Sequence, residues 1–245
     1  MNKIGFSTGA IHTWDSSINR QIEILRSIRM DAIEINFAKI SDLDEELTDE
    51  NIAYVRSLDY VSIHAPFFDE NRKELYYDNN SAIKKALFKL EKLSQKLNAH
   101  AVVFHPDLIK NYSILENLII CIENMPVKRD IDIDSFSDII KKHPNKIVLD
   151  TAHALSFNDG TISEMILRFK DKISHVHFSD RGFSEHKQKI SCHQQLLFCD
   201  DLDKFEALKE LSCPIIIEVS IPDKIHDIDN LRREYDVVNR FFNGN

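Results

Sequence analysis

Glycine is scarce in this chain: five of 245 residues, at positions 5, 9, 160, 182 and 244. None of them builds GxGxxG or GxxxxGK[ST], the loops whose bare backbone cradles phosphate groups, so neither dinucleotide-binding nor P-loop chemistry is expected. Cysteine is equally spare. Cys121, Cys192, Cys199 and Cys213 form no CxxC pair, which argues against a thiolate zinc site and against a disulfide framework. Cys121 and Cys213 sit in apolar surroundings and read as small core residues. No apolar run reaches the roughly 18 residues of a membrane span. The opening MNKIGFSTG lacks the apolar centre of a signal peptide. A soluble, cytoplasmic protein with no membrane partner is therefore expected. Positive charge is also in deficit, since 31 Lys and Arg against 40 Asp and Glu leave a net charge of −9. Non-specific nucleic-acid binding needs a basic footprint, and here only a local patch could supply one.

What the chain does have is a recurring alternation. Eight short apolar runs rich in Ile and Val follow one another: KIGFST (3–8), AIEIN (32–36), YVSIHAP (60–66), AVVFHP (101–106), IICIEN (119–124), KIVLDTAH (146–153), ISHVHFSD (173–180) and PIIIEVS (214–220). Such runs suit strands buried on both faces. Helical periodicity follows most of them. Asp15 or Ser16 can cap a helix striped by Ile18, Ile22, Leu25 and Ile28. Ser81 opens a helix with Ile83, Leu87, Leu90, Leu93 and Leu97 on one face. Asp134 or Ser135 precedes FSDIIKKH, Asp203 precedes KFEALKEL, and Asp227 starts a last helix. The short connection 107–118 leaves room for about two helical turns. Alternating strands and helices point to parallel βαβ units. The economical arrangement is a closed (β/α)8 TIM barrel, a single domain over 1–245, because closure leaves no sheet edge and a chain of this length suits it. An open doubly wound sheet is the structural alternative.

The chemistry lies in how the runs end. His64 ends the third and His105 the fourth; Glu123 ends the fifth, Asp150 and His153 the sixth, His177 the seventh and Glu218 the eighth. In a barrel these strand ends converge on one face, where active sites are built. Three carboxylates brought together need a cation to offset their repulsion. Imidazole with carboxylate suits zinc, manganese or iron. Glu34 ends the second run and points either to the site or to a salt bridge. His175 shares the face of His177 one layer deeper, as a core residue or one that contacts a ligand residue. His193, in a loop, is ambiguous.

The ordered set SIHAPF, VVFHPD, CIENMP, LDTAHAL, HVHFSD and IIIEVS resembles the xylose isomerase-like TIM barrels, which include the endonuclease IV type of apurinic endonuclease and the sugar-phosphate isomerases and epimerases. The resemblance runs over nearly the whole chain. It implies that Glu123, Asp150, His177 and Glu218 hold one divalent ion, and that the two glutamates exchange the substrate proton. It further implies that His64 and His105 share Glu123 in holding a second ion, and that His153 and His186 serve a third. The aspartate such a third site would take two residues before His186 is here Ser184, with Glu185 adjacent, so that site looks impaired. His153 is also a candidate substrate contact. Between one and three ions are thus expected.

Two chemistries compete on this basis. A mononuclear site suits proton transfer beside a carbonyl. A dinuclear site suits phosphoester hydrolysis. Isomerisation or epimerisation of a sugar or sugar phosphate is the leading expectation, supported by the wording HAPF and IENMP and by the negative charge. A phosphodiesterase acting on abasic DNA is the alternative, and a non-catalytic metal- or ligand-binding barrel the third. Arg181, after HFSD, is a candidate anchor for a phosphate or carboxylate, or a surface ion-pair residue. Phe67 and Phe68 could line a sugar pocket or pack under a loop. The resemblance suggests that Trp14 closes the barrel mouth.

Overall fold

A computed structural model describes residues 1–143, 145–183, 190–221 and 227–244. Its centre is a closed parallel barrel of eight strands: β1 (Ile4–Ser7), β2 (Ala32–Asn36), β3 (Tyr60–His64), β4 (Ala101–Phe104), β5 (Ile120–Glu123), β6 (Lys146–Asp150), β7 (Ile173–Phe178) and, after a two-stranded ribbon, β10 (Ile215–Ile217). The ribbon pairs β8 (Asp180–Phe183) with β9 (Ile190–Gln194) antiparallel. Around the barrel run α1 (Ile18–Arg26), α2 (Asp49–Arg56), α3 (Ser81–Leu97), α4 (Ile133–Lys142), α5 (Thr151–Leu155), α6 (Thr161–Phe169) and α7 (Ile228–Asn243). All eight apolar runs are barrel strands, so the sheet is closed rather than doubly wound. No described helix is long and apolar enough to cross a membrane.

The helices begin where side chains can cap them, displaced slightly from the expected positions. Ser17, not Asp15 or Ser16, caps α1, and its hydroxyl also donates to Glu45 at 2.6 Å. Asn80 caps α3 by accepting from the Ile83 amide at 2.9 Å, and Asp132 caps α4 by accepting from Ser135 at 2.8 Å. Asp227 caps α7 as expected. The connection 107–118 holds no α-helix. Asn111, in an extended conformation, interrupts it and starts a separate 3-10 turn at Tyr112–Leu115. KFEALKEL likewise winds as a 3-10 helix, Asp203–Glu210.

Each strand alternates between two environments, because successive side chains point to opposite faces. Ile4, Phe6, Ile33, Ile35, Ile63, Phe104, Ile122, Leu149, Val176 and Phe178 belong to the large apolar sheath shared with Ile22 and Leu25 of α1, Leu90 of α3 and Leu231 of α7. The residues between them face the lumen. There small apolar groups such as Ala101, Val103, Cys121 and Val148 sit with buried polar ones. A bulge sets this lumen face on β7. Ile147 pairs with Ile173, but Val148 pairs with His175 and Asp150 with His177. Ser174 is the extra residue; a regular ladder running on from Ile147–Ile173 would pair it with Val148 and turn His175 and His177 to the apolar side.

Gly5 marks the tightest approach in the barrel wall: a Cβ built there would fall 1.6 Å from the Ala32 carbonyl oxygen on β2. Overpacking of a filled interior typically costs about 1–3 kcal/mol, and here the obstacle is backbone. Gly5→Ala is therefore expected to destabilise by about 3 kcal/mol or more, seen as a lowered urea midpoint. An unchanged midpoint would show that β1 and β2 have room to part.

Candidate metal centre

The carboxy-terminal strand ends bring the expected residues together. Glu123, Asp150, His177 and Glu218 offer ligand atoms all within 4.8 Å of one another, and so do His64, His105 and Glu123. Glu123 belongs to both groups, one oxygen facing each. Its Oε2 lies 3.4 Å from His64 Nε2 and 3.2 Å from His105 Nε2. Its Oε1 lies 3.3 Å from His177 Nδ1 and 3.4 Å from His153 Nδ1. Glu218 closes the first group, with Oε2 2.8 Å from His177 Nδ1.

Local structure fixes these positions. Asp150 is the last residue of β6 and the N-cap of α5, so its Oδ1 accepts from the His153 amide at 2.6 Å and draws the His153 ring to the site. Asn124 clamps β5 to β6: its side chain accepts from the Asp150 amide at 2.7 Å and donates to the Asp150 carbonyl at 3.0 Å. The Glu218 amide donates to the Phe178 carbonyl at 3.2 Å, which carries the β10–β7 ladder one residue beyond the strand.

Burial and mutual charge set the proton inventory. Burial pushes the Asp150 carboxyl up to about 8, with Glu123 and Glu218 adding to the rise. Burial opposes ionisation of Glu123 as well, but hydrogen bonds from His105, His177 and His64 hold it well below the usual carboxylate range. Glu218 is buried too, yet His177 draws it down to about 2. Burial disfavours charge on His64, and Glu123 overrides it, raising the imidazole to about 9. His177 is raised well above the ordinary imidazole value, against its burial, by Glu34 and Glu218. Burial keeps His105 and His153 below the ordinary value.

The donor set fits a divalent ion. Carboxylate and imidazole in fourfold array match zinc and related metals. Asp150 Oδ2 is buried with no hydrogen-bond partner, and an unsatisfied buried acceptor is what a missing cation leaves behind.

A third group joins Asp150 and His153 to His193. His186, Ser184 and Glu185, where a partner for His153 was expected, lie outside the described residues. His193 Nδ1 is 3.8 Å from Asp150 Oδ2 and 3.2 Å from the Ser179 hydroxyl. The ribbon pairing of Asp180 with Gln194 is what returns His193 to the strand ends, and nothing local in the sequence announces it.

Above the cluster opens a cavity of about 570 Å³, lined among others by His64, Phe67, Phe68, His105, Glu123, His153, His193 and Glu218. Phe67 stacks on His105 at 5.3 Å between ring centres and meets His64 edge-on at 5.5 Å. Lys39 and Arg72 line the same cavity, and among the described residues neither is in an ion pair. Two further expected contacts meet backbone carbonyls. Trp14 does not line the cavity: it is buried in the apolar sheath, and its indole N–H donates to the Ile221 carbonyl at 3.1 Å. Arg181 is also absent from the lining; its guanidinium donates to the Leu155 carbonyl and lies 3.8 Å from Asp159.

Asp150 and His177 both hold protons at neutral pH in this arrangement. A metal ion takes them only deprotonated, so binding releases protons and weakens as pH falls. Titration calorimetry at pH 7 in buffers of different ionisation enthalpy is expected to show about two protons released per ion. Affinity should rise from pH 6 to pH 8; a flat profile would contradict the proton inventory.

No family model and no curated protein sequence matches the chain. Solved structures do. A D-tagatose 3-epimerase-like protein matches with a TM-score of 0.62 and 22% identity over 97% of this chain and 98% of its own. The IolI protein, solved with a bound zinc atom, matches at 0.65 and 16% over 98% and 99%. Endonuclease IV from Thermus thermophilus matches at 0.60 and 16% over 96% and 99%. At such identities the likeness is one of architecture alone: the chain shares the (β/α)8 barrel fold of these proteins.

Proposed function

We propose that this protein isomerises or epimerises a sugar or sugar phosphate by proton transfer between Glu123, Glu218 and a substrate carbon beside a carbonyl. The observation that carries this reading is the division of the four-residue cluster. Glu123 and Glu218 line the cavity, whereas Asp150 and His177, grouped with them, are fully buried. The two acids flank His177 Nδ1, at 3.3 and 2.8 Å, and so are placed to take a proton and return it. A divalent ion held by Glu123, Asp150, His177 and Glu218 would supply Lewis-acid polarisation of the substrate oxygen. The cavity volume of about 570 Å³ is that of a small-molecule site. Phe67 and Phe68 give it an apolar wall, while Lys39 and Arg72 offer cationic groups to a phosphorylated substrate. His153 lines the floor as a substrate contact. One similar structure is named for 3-epimerisation of a sugar, which agrees with this reading.

One observation favours a second reading. His64 and His105 converge on Glu123 Oε2, at 3.4 and 3.2 Å, and could hold a second ion. A paired site suits hydrolysis of a phosphodiester such as abasic DNA, and an endonuclease IV is among the similar structures.

The test uses metal-loaded protein, aldose and ketose phosphates in deuterated water, and abasic-site DNA. Exchange of a substrate C–H with solvent is expected, and Glu218→Gln should slow it by about 10²–10⁴-fold with metal held saturating. His64→Ala with His105→Ala should cost far less. Abasic-DNA cleavage that survives purification and disappears in the double histidine variant would replace the first reading with the second.

A further inference from the structure

Below the four-residue cluster the lumen holds a second polar layer. Glu34 of β2, Ser62 of β3 and His175 of β7 are each 0% exposed. Glu34 Oε2 gathers the contacts of this layer. It accepts from the Ser62 hydroxyl at 2.9 Å and lies 3.0 Å from His177 Nε2 and 3.5 Å from His175 Nε2. His175 is held in turn through Nδ1, 2.9 Å from the Tyr60 hydroxyl. The pairing Glu34–Ser62 across β2 and β3, and the bulge on β7, put these groups at one level of the barrel.

His177 therefore has two distinct faces. Nδ1 looks up at Glu123 and Glu218; Nε2 looks down at Glu34, 3.0 Å away, with His175 Nε2 beside it at 3.3 Å. A neutral imidazole has one N–H and one lone pair. A carboxylate beside Nε2 keeps the proton there and leaves the Nδ1 lone pair for whatever the upper cluster binds. Ser62, which donates to the same oxygen, fixes the direction from which Glu34 does this. Glu34 Oε1 is buried without a hydrogen-bond partner.

We propose that Glu34 is a positioning residue of the metal centre, which orients His177 and fixes its Nε2–H tautomer so that Nδ1 is the ligand atom. The proposal rests on Glu123, Asp150, His177 and Glu218 being a metal site and is independent of the reaction catalysed there.

Two measurements on the full chain test it. The first needs no variant. Long-range 1H–15N correlation of the Zn2+-loaded protein is expected to show His177 with a metal-bound Nδ1 and a protonated, slowly exchanging Nε2. Zinc on Nε2 overturns the proposal. A folded protein that takes up no zinc overturns the metal reading itself, and the proposal with it. The second measures Co2+ affinity by competition with a chelator, together with the visible spectrum of the bound ion. Glu34→Gln should weaken binding by about 10–100-fold, the usual effect of removing a carboxylate behind a ligating histidine. It should also shift the Co2+ bands, and Glu34→Asp should restore part of the affinity. In a His177→Ala background Glu34→Gln should add little. An equal loss in both backgrounds, or unchanged affinity and spectrum in folded Glu34→Gln, overturns the proposal.

Discussion

Everything at the mouth of this barrel follows from the cost of placing carboxyl groups side by side out of water. Glu34, Glu123, Asp150 and Glu218 are gathered within a lumen that also holds His64, His105, His153, His175 and His177. Without a cation the charges are reconciled by protons. His64 and His177 keep theirs beyond the usual imidazole range, and Asp150 retains one that an exposed aspartate would lose. Each proton stands where a metal ion would place positive charge, so the same geometry serves both states.

The barrel tolerates such a lumen because its stability resides elsewhere. The apolar sheath between strands and helices takes alternate residues of the strands, broken only by the bulge on β7, from Ile4 and Phe6 on β1 to Ile215 and Ile217 on β10. Burial there is what offsets the entropy of folding. The inward positions are thus free to be chosen for chemistry. The close packing of Gly5 against Ala32 and the clamp of Asn124 on Asp150 transmit the precision of the wall to the side chains it carries.

This division explains what was legible in the sequence. Buried strands read as nearly continuous apolar runs, and the residue that breaks each run is a polar group at its carboxy-terminal end. His64, Glu123, Asp150, His177 and Glu218 were visible in that way, as was the barrel itself. Register was not. The role of Ser174 as a bulge cannot be seen in ISHVHFSD, yet it decides that His175 and His177 face inward. Glu34 lies within AIEIN as one acid in a strand, and only the pairing with Ser62 and the approach of His177 give it a place. His193 reaches the site through an antiparallel ribbon that no periodicity marks. Trp14 and Arg181 are polar-tipped side chains near strand ends, and among the described residues each meets a backbone carbonyl, of Ile221 and Leu155.

Glu123 is where the two chemistries part. As a proton carrier it needs an oxygen that can reach the substrate. As a bridge between two ions it commits both, Oε1 toward His177 and Oε2 toward His64 and His105. These roles exclude one another. The state of the His64–His105 side therefore governs the whole site. While His64 carries its proton, raised to about 9 by Glu123, it acts as a fixed cation that orients Oε2 and repels a second metal ion. Glu123 then remains a terminal carboxylate at the cavity floor, facing Glu218. Loss of that proton to a second ion would convert the same residue into a bridge and leave Glu218 alone among the two acids that line the cavity. On the reading proposed above, proton transfer on a small substrate therefore needs the His64–His105 side free of a second ion.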